Sequence, residues 1–314
     1  MFFPTTGRFE PATRDWLLPV HGWVYTPERS TRMRRATLAL FRRYLRYKTR
    51  EALTPLFQER TRAFFVGGHR GQHVSVRFGD EEFVLDRSGA NGHVRGLIRL
   101  HEDRVARLAA EGAAPTGWLD FQGVSEGAIE AAAGRVQLLP PAGVSVVSDI
   151  DDTIKHTHVR HRGELLANTF LRDFQAIPAA AEMYREWSDL GMAFHYVSSS
   201  PWQLFDPLSD FFRREGFPDG SFHLRLLRLG DSRPFKIFVG RPVYKAAAIE
   251  AILRTYPERK FVFVGDSGER DPEIYGAVAR KHPQQVLRIL IRDVTGHPSN
   301  SERYRKAFRW LPRN

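Results

Sequence analysis

Through the C-terminal half of the chain, apolar runs of four to six residues alternate with helix-length amphipathic segments: "VSVVS", "IPAAAEMYREWSDLG", "AFHYVS", "WQLFDPLSDFFRREG", "HLRLLRL", "KAAAIEAILRTYP", "FVFVGDS", "PEIYGAVARKHP" and "VLRILIR". Strands that are apolar throughout, not only at alternate positions, are buried on both faces. The rhythm therefore predicts an α/β domain, doubly wound, with a mainly parallel sheet between helices. From about Arg62 to Leu139 the pattern differs, with short alternating or apolar runs broken by glycine and polar turns: "RAFFVGG", "HVSVRFG", "EEFVLDRSG", "HVRGLIRL", "GWLDFQG", "RVQLLPP". These predict a β-rich, sandwich-like domain. Between the fourth and fifth runs, "HEDRVARLAAEGAAP" reads as a short helix or an extended loop. Pro140, Pro141 and Gly143 punctuate the change of rhythm, so the expected domains are 1–140 and 141–314.

A third pattern precedes the β-rich region. In "TRMRRATLALFRRYLRYKTREALTPL", Leu38, Phe41 and Leu45 fall on one helical stripe with arginines around most of the remainder. Residues 29–50 hold nine basic side chains, and the one acid between Tyr25 and Arg50 is Glu28. Most of the chain's net charge of +11 and its pI of 10.2 originate there, and both call for an acidic partner. A helix here could lie on an anionic membrane surface, where each basic residue contributes about 1 kcal/mol. A helix docked on its own domain with solvated arginines is the plainer alternative. Nucleic acid is the weaker partner, because Phe41, Tyr44 and Tyr47 among the arginines are accompanied by no nucleic-acid motif. The 314 residues contain no cysteine, which excludes disulfides, thiol catalysis and cysteine-bound metal centres. With no signal-peptide pattern at the start and no apolar run of about 18 residues, the chain reads as cytoplasmic, peripheral to the membrane at most.

Polar residues gather where the C-terminal strands end. "VSVVS" runs into Asp149, Ile150, Asp151, Asp152 and Thr153; "AFHYV" into Ser198, Ser199 and Ser200; "FVFV" into Gly265, Asp266, Ser267, Gly268, Glu269, Arg270 and Asp271. Ligands of parallel α/β sheets bind at the carboxyl ends of the strands, so these groups are expected to share one crevice. A single acid after a strand is ordinarily a helix cap, and a single lysine at a helix start is ordinarily solvated. Three such groups in this order, with Lys245 at the start of the helix that precedes the last strand, depart from that expectation.

These residues carry a resemblance. "DIDDT" is similar to the D-x-D-x-T motif of haloacid-dehalogenase-like phosphatases, "YVSSS" to their second motif, Lys245 to the third and "GDSGERD" to the acidic fourth. The wider run "SDIDDTIKHTHV … YVSSSPWQLF … FFRREGFPDG … VGDSGERDPEIY" resembles the actin-patch-associated phosphatidate phosphatases and their bacterial relatives over residues 143–295. The resemblance implies hydrolysis of phosphatidate to diacylglycerol and phosphate through an aspartyl-phosphate. By motif position Asp149 is the nucleophile and Asp151 the acid and base, with a pKa near the working pH. Asp149, Asp266 and the backbone carbonyl of Asp151 would hold Mg2+, the hard cation that an all-oxygen set favours. Ser198 and Lys245 would contact the phosphoryl oxygens, with Lys236 the rival lysine. Asp271 would orient Lys245 or a metal-bound water, Thr153 would support the loop, and Asp152 would cap it or pair with Lys155.

His156, His158 and His161 lack a helical metal-binding spacing and are expected in a flap over the loop. Asp149 and Ser198 are separated by 49 positions, and Ser198 and Lys245 by 47, most of them consumed by core elements. No large cap fits, so the site is open to a phosphate on something bulky. A phosphoprotein, a nucleic-acid end or a soluble phosphomonoester are the enzymatic alternatives. A membrane- or partner-binding module with a vestigial site is the non-enzymatic one.

Overall fold

The computed structural model describes residues 1–26, 54–64, 66–112, 117–124, 132–226 and 242–311. The basic segment 29–50 and Lys236 lie outside the described residues. Two compact units emerge, the first within 1–30, 66–141 and 220–222, the second within 31–65, 142–219 and 223–314.

The strands of the first unit are β1 (Phe2–Phe3), β2 (Thr5–Glu10), β3 (Asp15–Trp23), β4 (Tyr25–Thr26), β5 (Gly67–Gly68), β6 (Ser75–Phe78), β7 (Glu81–Val84), β8 (His93–His101), β9 (Trp118–Val124) and β10 (Ala133–Leu139). Helix α1 (Pro55–Arg62) falls between β4 and β5 in sequence but belongs to the second unit; α2 (Glu102–Glu111) follows β8. Eight strands form one sheet in the order β1-β3-β2-β10-β9-β6-β7, with β8 also paired to β3. Its β10–β2 pair is parallel, so the sheet is mixed. Leu18 and Val20 of β3, Val76 and Phe78 of β6, Ile98 of β8 and Phe121 of β9 share one core, which requires the sheet to curl on itself.

Two local readings are resolved. "HEDRVARLAAE" is helix: Glu102 and Asp103 occupy its first turn, where the helix dipole favours acids, and Val105 and Leu108 bury one face. "RAFFV" is no strand, since α1 runs to Arg62 and a turn follows at residues 63 and 64. Thr54 caps α1 by accepting a hydrogen bond from the Phe57 amide at 3.2 Å, and Pro55 begins it, a position where proline loses nothing.

The second unit is an α/β layer. Strands β11 (Val144–Ser148), β12 (Ala193–Pro201), β13 (Ser221–Arg225), β14 (Lys260–Asp266) and β15 (Val286–Arg292) form a sheet in the order β13-β12-β11-β14-β15. The pairs β11–β12, β11–β14 and β14–β15 are parallel. Around them lie α3 (Arg162–Phe170), α4 (Ala180–Asp189), α5 (Phe205–Glu215), α6 (Pro242–Thr255), α7 (Asp271–Lys281) and α8 (Glu302–Ala307). The apolar run of β15 is an edge strand, not a buried one, with Leu287 49% and Leu290 38% exposed. α1 attaches to this unit through Arg60, which is buried and donates from Nη1 to the Thr169 and Arg172 carbonyls at 2.9 and 2.8 Å, with its guanidinium 3.7 Å above the Phe174 ring. Those carbonyls close the C-terminal end of α3, where a cation is favoured.

Candidate active site

The central strand delivers the first acid. β11 is buried, and Arg259 anchors its start through the Ala142 and Val144 carbonyls, both at 2.8 Å, and the Ser145 hydroxyl at 2.9 Å. Ser148 stands in register with Tyr196 of β12 and Val264 of β14, so Asp149, Ser198 and Asp266 emerge one or two residues later at one edge of the sheet. The Asp149 amide still bonds the Val264 carbonyl at 2.9 Å, which holds the acid at the ladder's end.

Lys245, in the first turns of α6, reaches Asp149 Oδ1 at 2.7 Å and also donates to Asp271 Oδ1. All three groups are buried. The other Asp149 oxygen accepts from the Thr153 hydroxyl at 2.8 Å. Asp271 opens α7 and accepts from the Asp266 amide at 3.2 Å. Its approach depends on Gly265, because a Cβ there would stand 2.3 Å from Asp271 Oδ2. Asp266 Oδ1 accepts from the Gly268 and Glu269 amides at 2.6 and 3.2 Å.

Burial raises the Asp149 carboxyl well above its ordinary range, against the pull of Lys245 and with the push of Asp271 and Asp266. Asp266 is raised to about 7 by burial and Asp271, and Glu269 also to about 7 by burial, with Asp271 adding to the effect. Lys245 is driven upward by Asp149 and Asp271, which outweigh its own burial. Like charges crowded out of water produce such values, and a cation relieves them.

The loop after Asp149 forms a second network. Asp151 accepts from Ser198 at 3.0 Å and Ser200 at 2.8 Å on one oxygen, and from Thr157 at 2.8 Å on the other, where Lys155 Nζ is also 2.9 Å away. Burial alone would raise its carboxyl, yet the charge and hydrogen bond of Lys155, with Thr157 and Ser200, hold it at about 2. The expected pKa near neutrality is not met in this arrangement. Asp152, expected to cap or to pair with Lys155, takes the first role: it accepts from the Thr157, His158 and Val159 amides at 2.7–2.8 Å. These bonds hold its backbone at φ 59°, a left-handed conformation uncommon outside glycine.

Every candidate active-site residue other than Lys236 is described, and Asp149, Lys245, Asp266 and Asp271 form one cluster to which Thr153 is bonded. Asp151 and Ser198 form the adjoining network. Sequence reasoning passed over Ser200, made Lys155 a partner of the wrong acid and missed Arg303. Arg303, in α8, donates to the Ser267 and Glu269 carbonyls, both at 2.5 Å, and to Glu273 at 2.8 and 3.1 Å, bracing the loop that carries Asp266.

The residues fit a divalent cation. Carboxylate oxygens of Asp149, Asp266 and Asp271 come within 4.8 Å of one another, the one such gathering among the described residues. Asp266 Oδ2 is buried with no hydrogen-bond partner there, an orphan acceptor of the kind a cation satisfies. The donors are all oxygen, which suits a hard ion. Asp271 joins the carboxylate set, whereas the Asp151 side chain is engaged elsewhere.

Fold and site together define a parallel α/β unit with a buried acid–lysine cluster, suited to a divalent cation, at the carboxyl edge of its sheet. Residues 144–293 match the family model described as phosphatidate phosphatase APP1, catalytic domain, a little under half of the chain. An uncharacterized protein of Schizosaccharomyces pombe is 34% identical over 170 residues, 53% of this chain and 28% of that protein. Phosphatidate phosphatase APP1 of Saccharomyces cerevisiae is 37% identical over 156 residues, 48% of this chain and 26% of that protein. The aligned region thus spans about a quarter of the length of these curated relatives. Among solved structures, the class C acid phosphatase of Bacillus anthracis with tungstate bound overlaps 55% of this chain and 74% of its own, at a TM-score of 0.30 and 13% identity. A Pnkp1/Rnl/Hen1 complex overlaps 62% of each chain at a TM-score of 0.36 and 11% identity. Overlaps that slight bear on neither activity nor substrate. Among the described residues no helix is long and apolar enough to cross a membrane.

Proposed function

We propose that this chain is a magnesium-dependent phosphatidate phosphatase of the haloacid-dehalogenase-like type, releasing diacylglycerol and phosphate through an aspartyl-phosphate. The observation that carries the reading is the buried Asp149, 2.7 Å from Lys245 and beside Asp266 and Asp271, inside the segment that matches a phosphatidate phosphatase catalytic domain. In-line displacement at phosphorus needs a fixed nucleophile, positive charge on the oxygens and a proton carrier, and each has a candidate here.

Asp149 attacks phosphorus while the bond to the leaving glycerol oxygen breaks. Lys245 fixes the attacking carboxylate and neutralises charge on the acyl-phosphate, and Asp271 aims Lys245. Asp151 protonates the leaving oxygen. The approach of a phosphate dianion raises the proton affinity of its carboxyl above the low value that Lys155, Thr157 and Ser200 impose. Water then attacks phosphorus, the bond from phosphorus to the Asp149 oxygen breaks, and the water gives a proton to Asp151, whose pairing with Lys155 favours the carboxylate form that this second step needs. Ser198 and Ser200 position Asp151, and Ser198 can turn its hydroxyl to a phosphoryl oxygen. Magnesium at Asp149, Asp266 and the Asp151 carbonyl, with Asp271 beside them, would supply charge neutralisation at the phosphoryl group. Residues 29–50 would bring the open site to an anionic membrane.

The test is magnesium-dependent phosphate release from phosphatidate in mixed micelles beside soluble phosphomonoesters, with Asp149→Asn as the blank. Preferred turnover of the lipid is expected. Turnover of soluble esters alone would remove the lipid assignment, and unchanged activity in Asp149→Asn would remove the mechanism.

A further inference from the structure

A cavity of about 260 Å³ opens beside the Asp loop, lined by His156, His158, Arg160, His161 and Arg292 together with Asp152. None of the steps above uses these five basic side chains. Two of them are guanidiniums, each a planar fork of N–H donors. The one acid in the lining is already engaged, since Asp152 accepts from three backbone amides and its carbonyl accepts from Arg292 Nη1 at 2.8 Å. By contrast, among the described residues no hydrogen bond or ion pair engages the side chains of Arg160, His158 or His161, and Arg292 has guanidinium N–H groups to spare. The cavity is therefore lined by more basic side chains than acidic ones, and its one carboxylate is already bonded to backbone amides.

The histidines do not make it a metal site. The His156 and His158 rings stack with centroids 6.1 Å apart, and the one gathering of ligand atoms close enough for a metal among the described residues is the aspartate triad. Its size points the same way as its charge. At about 260 Å³ it falls just under the roughly 300–1,000 Å³ of pockets that enclose drug-sized molecules, so it suits one small hydrated group. It is also tied to the reactive loops. The Arg292 carbonyl accepts from the Ser267 amide at 3.0 Å, and Arg160 Cδ lies 3.7 Å from where a Cβ on Gly268 would stand.

We propose that this cavity is an anion subsite that takes one phosphate-class group, separate from the group that meets Asp149. The occupant has two sources: a second anionic group presented with the substrate, on the same molecule or on a neighbouring lipid headgroup, or free phosphate. Occupancy of the cavity does not depend on turnover. Only its service to substrate rests on the phosphatase reading.

The experiment is calorimetric titration of the full chain with inorganic phosphate, comparing wild type, Arg160→Gln and Arg160→Glu, with Lys245→Met to remove the phosphate held at the carboxylate cluster. Arg160 is exposed, so its replacement leaves the fold intact. Wild type should bind one phosphate more than Arg160→Glu, and Arg160→Gln should weaken that event about 10-fold, as the loss of a charge-assisted bond requires. Lys245→Met should keep the Arg160-dependent event. Equal stoichiometry and affinity in wild type and Arg160→Glu would overturn the subsite, whatever the carboxylate cluster does. Turnover assigns the source. A raised KM of Arg160→Gln for a bisphosphate ester, or for phosphatidate in anionic vesicles, with KM for a monophosphate ester unchanged, assigns a substrate-borne anion. Unchanged KM in all three, with phosphate binding weakened, assigns free phosphate.

Discussion

Replacing Lys245 by methionine isolates the electrostatics of the cluster. The side chain is 1% exposed and its ammonium bonds both Asp149 and Asp271, so Lys245→Met leaves three buried carboxylates with no cation. Breaking a buried pair from one side costs about 3–5 kcal/mol when the remaining group stays charged. Whether it stays charged depends on pH. With Lys245 in place, burial and Asp271 already put Asp266 at about 7 against its ordinary 3.8. An acid whose folded pKa exceeds its unfolded one binds its proton more tightly when folded, so its contribution is full at low pH and is lost as pH rises through the folded value. Over that window, at about 1.4 kcal/mol per unit, Asp266 alone removes about 4 kcal/mol from the metal-free protein. The variant should therefore lose most stability at about pH 8 and distinctly less at about pH 5.5, where Asp266 holds its proton. Urea unfolding of both proteins in chelator measures this directly. At the higher pH, magnesium should restore part of the loss, about 2.7 kcal/mol at a hundredfold excess over Kd. A loss equal at the two pH values, or no loss at all, would refute a cluster governed by uncompensated carboxylates.

Three further outcomes are expected. Burial and Arg95 lower His93 to about 4, so its contribution to the first unit is full above 6.5 and is lost as pH falls to about 4, roughly 3 kcal/mol in all; His93→Phe should flatten that acid limb in a pH series of denaturant melts. Arg60→Met removes two charge-assisted bonds to the end of α3 and should cost about 2–4 kcal/mol by urea unfolding, whereas a change below 1 kcal/mol would show that α1 does not stabilise the second unit. Arg303→Lys keeps the charge but not the fork that grips two carbonyls and Glu273, and should raise the magnesium concentration for half-maximal phosphate release about 10–100-fold; an unchanged requirement would remove its bracing role.

The two halves of the chain differed in how much they disclosed. Buried parallel strands carry an unbroken apolar run, and β11, β12 and β14 stood out by it, although a similar run could not reveal that β15 is an edge, and β13 begins two residues before the run expected for it. In the first unit β2 and β3 escaped notice, although β3 pairs with β1, β2 and β8. Pro19, His21 and Gly22 interrupt its apolar rhythm, and its register against β8 is supplied by pairing partners distant in the chain. Residues 54–64 show a related limit: the attachment of α1 to α3 depends on one arginine reaching carbonyls more than a hundred positions away, which no local pattern announces.

The same distinction orders the site. Asp149, Ser198, Lys245, Asp266 and Asp271 were legible because each lies near the carboxyl end of a strand or in the first turns of a helix, where topology brings side chains to one edge. Lys155 and Asp151 were in plain view, but their pairing depends on a backbone that reverses at Asp152, in a left-handed conformation stabilised by three amides. That reversal makes the neighbours of Asp151 a lysine and two serines, and so lowers a carboxyl that spacing alone would place near neutrality. Arg303 lies beyond both the expected motif region and the matched segment 144–293, and no motif points to it. Position along the chain thus discloses which groups meet, and only the fold discloses which charge state each one holds. In the proposed mechanism the proton-transfer step therefore depends on residues that the motifs omit, and Lys155 is the first of them: without it Asp151 would lose the neighbouring cation that holds its carboxyl low.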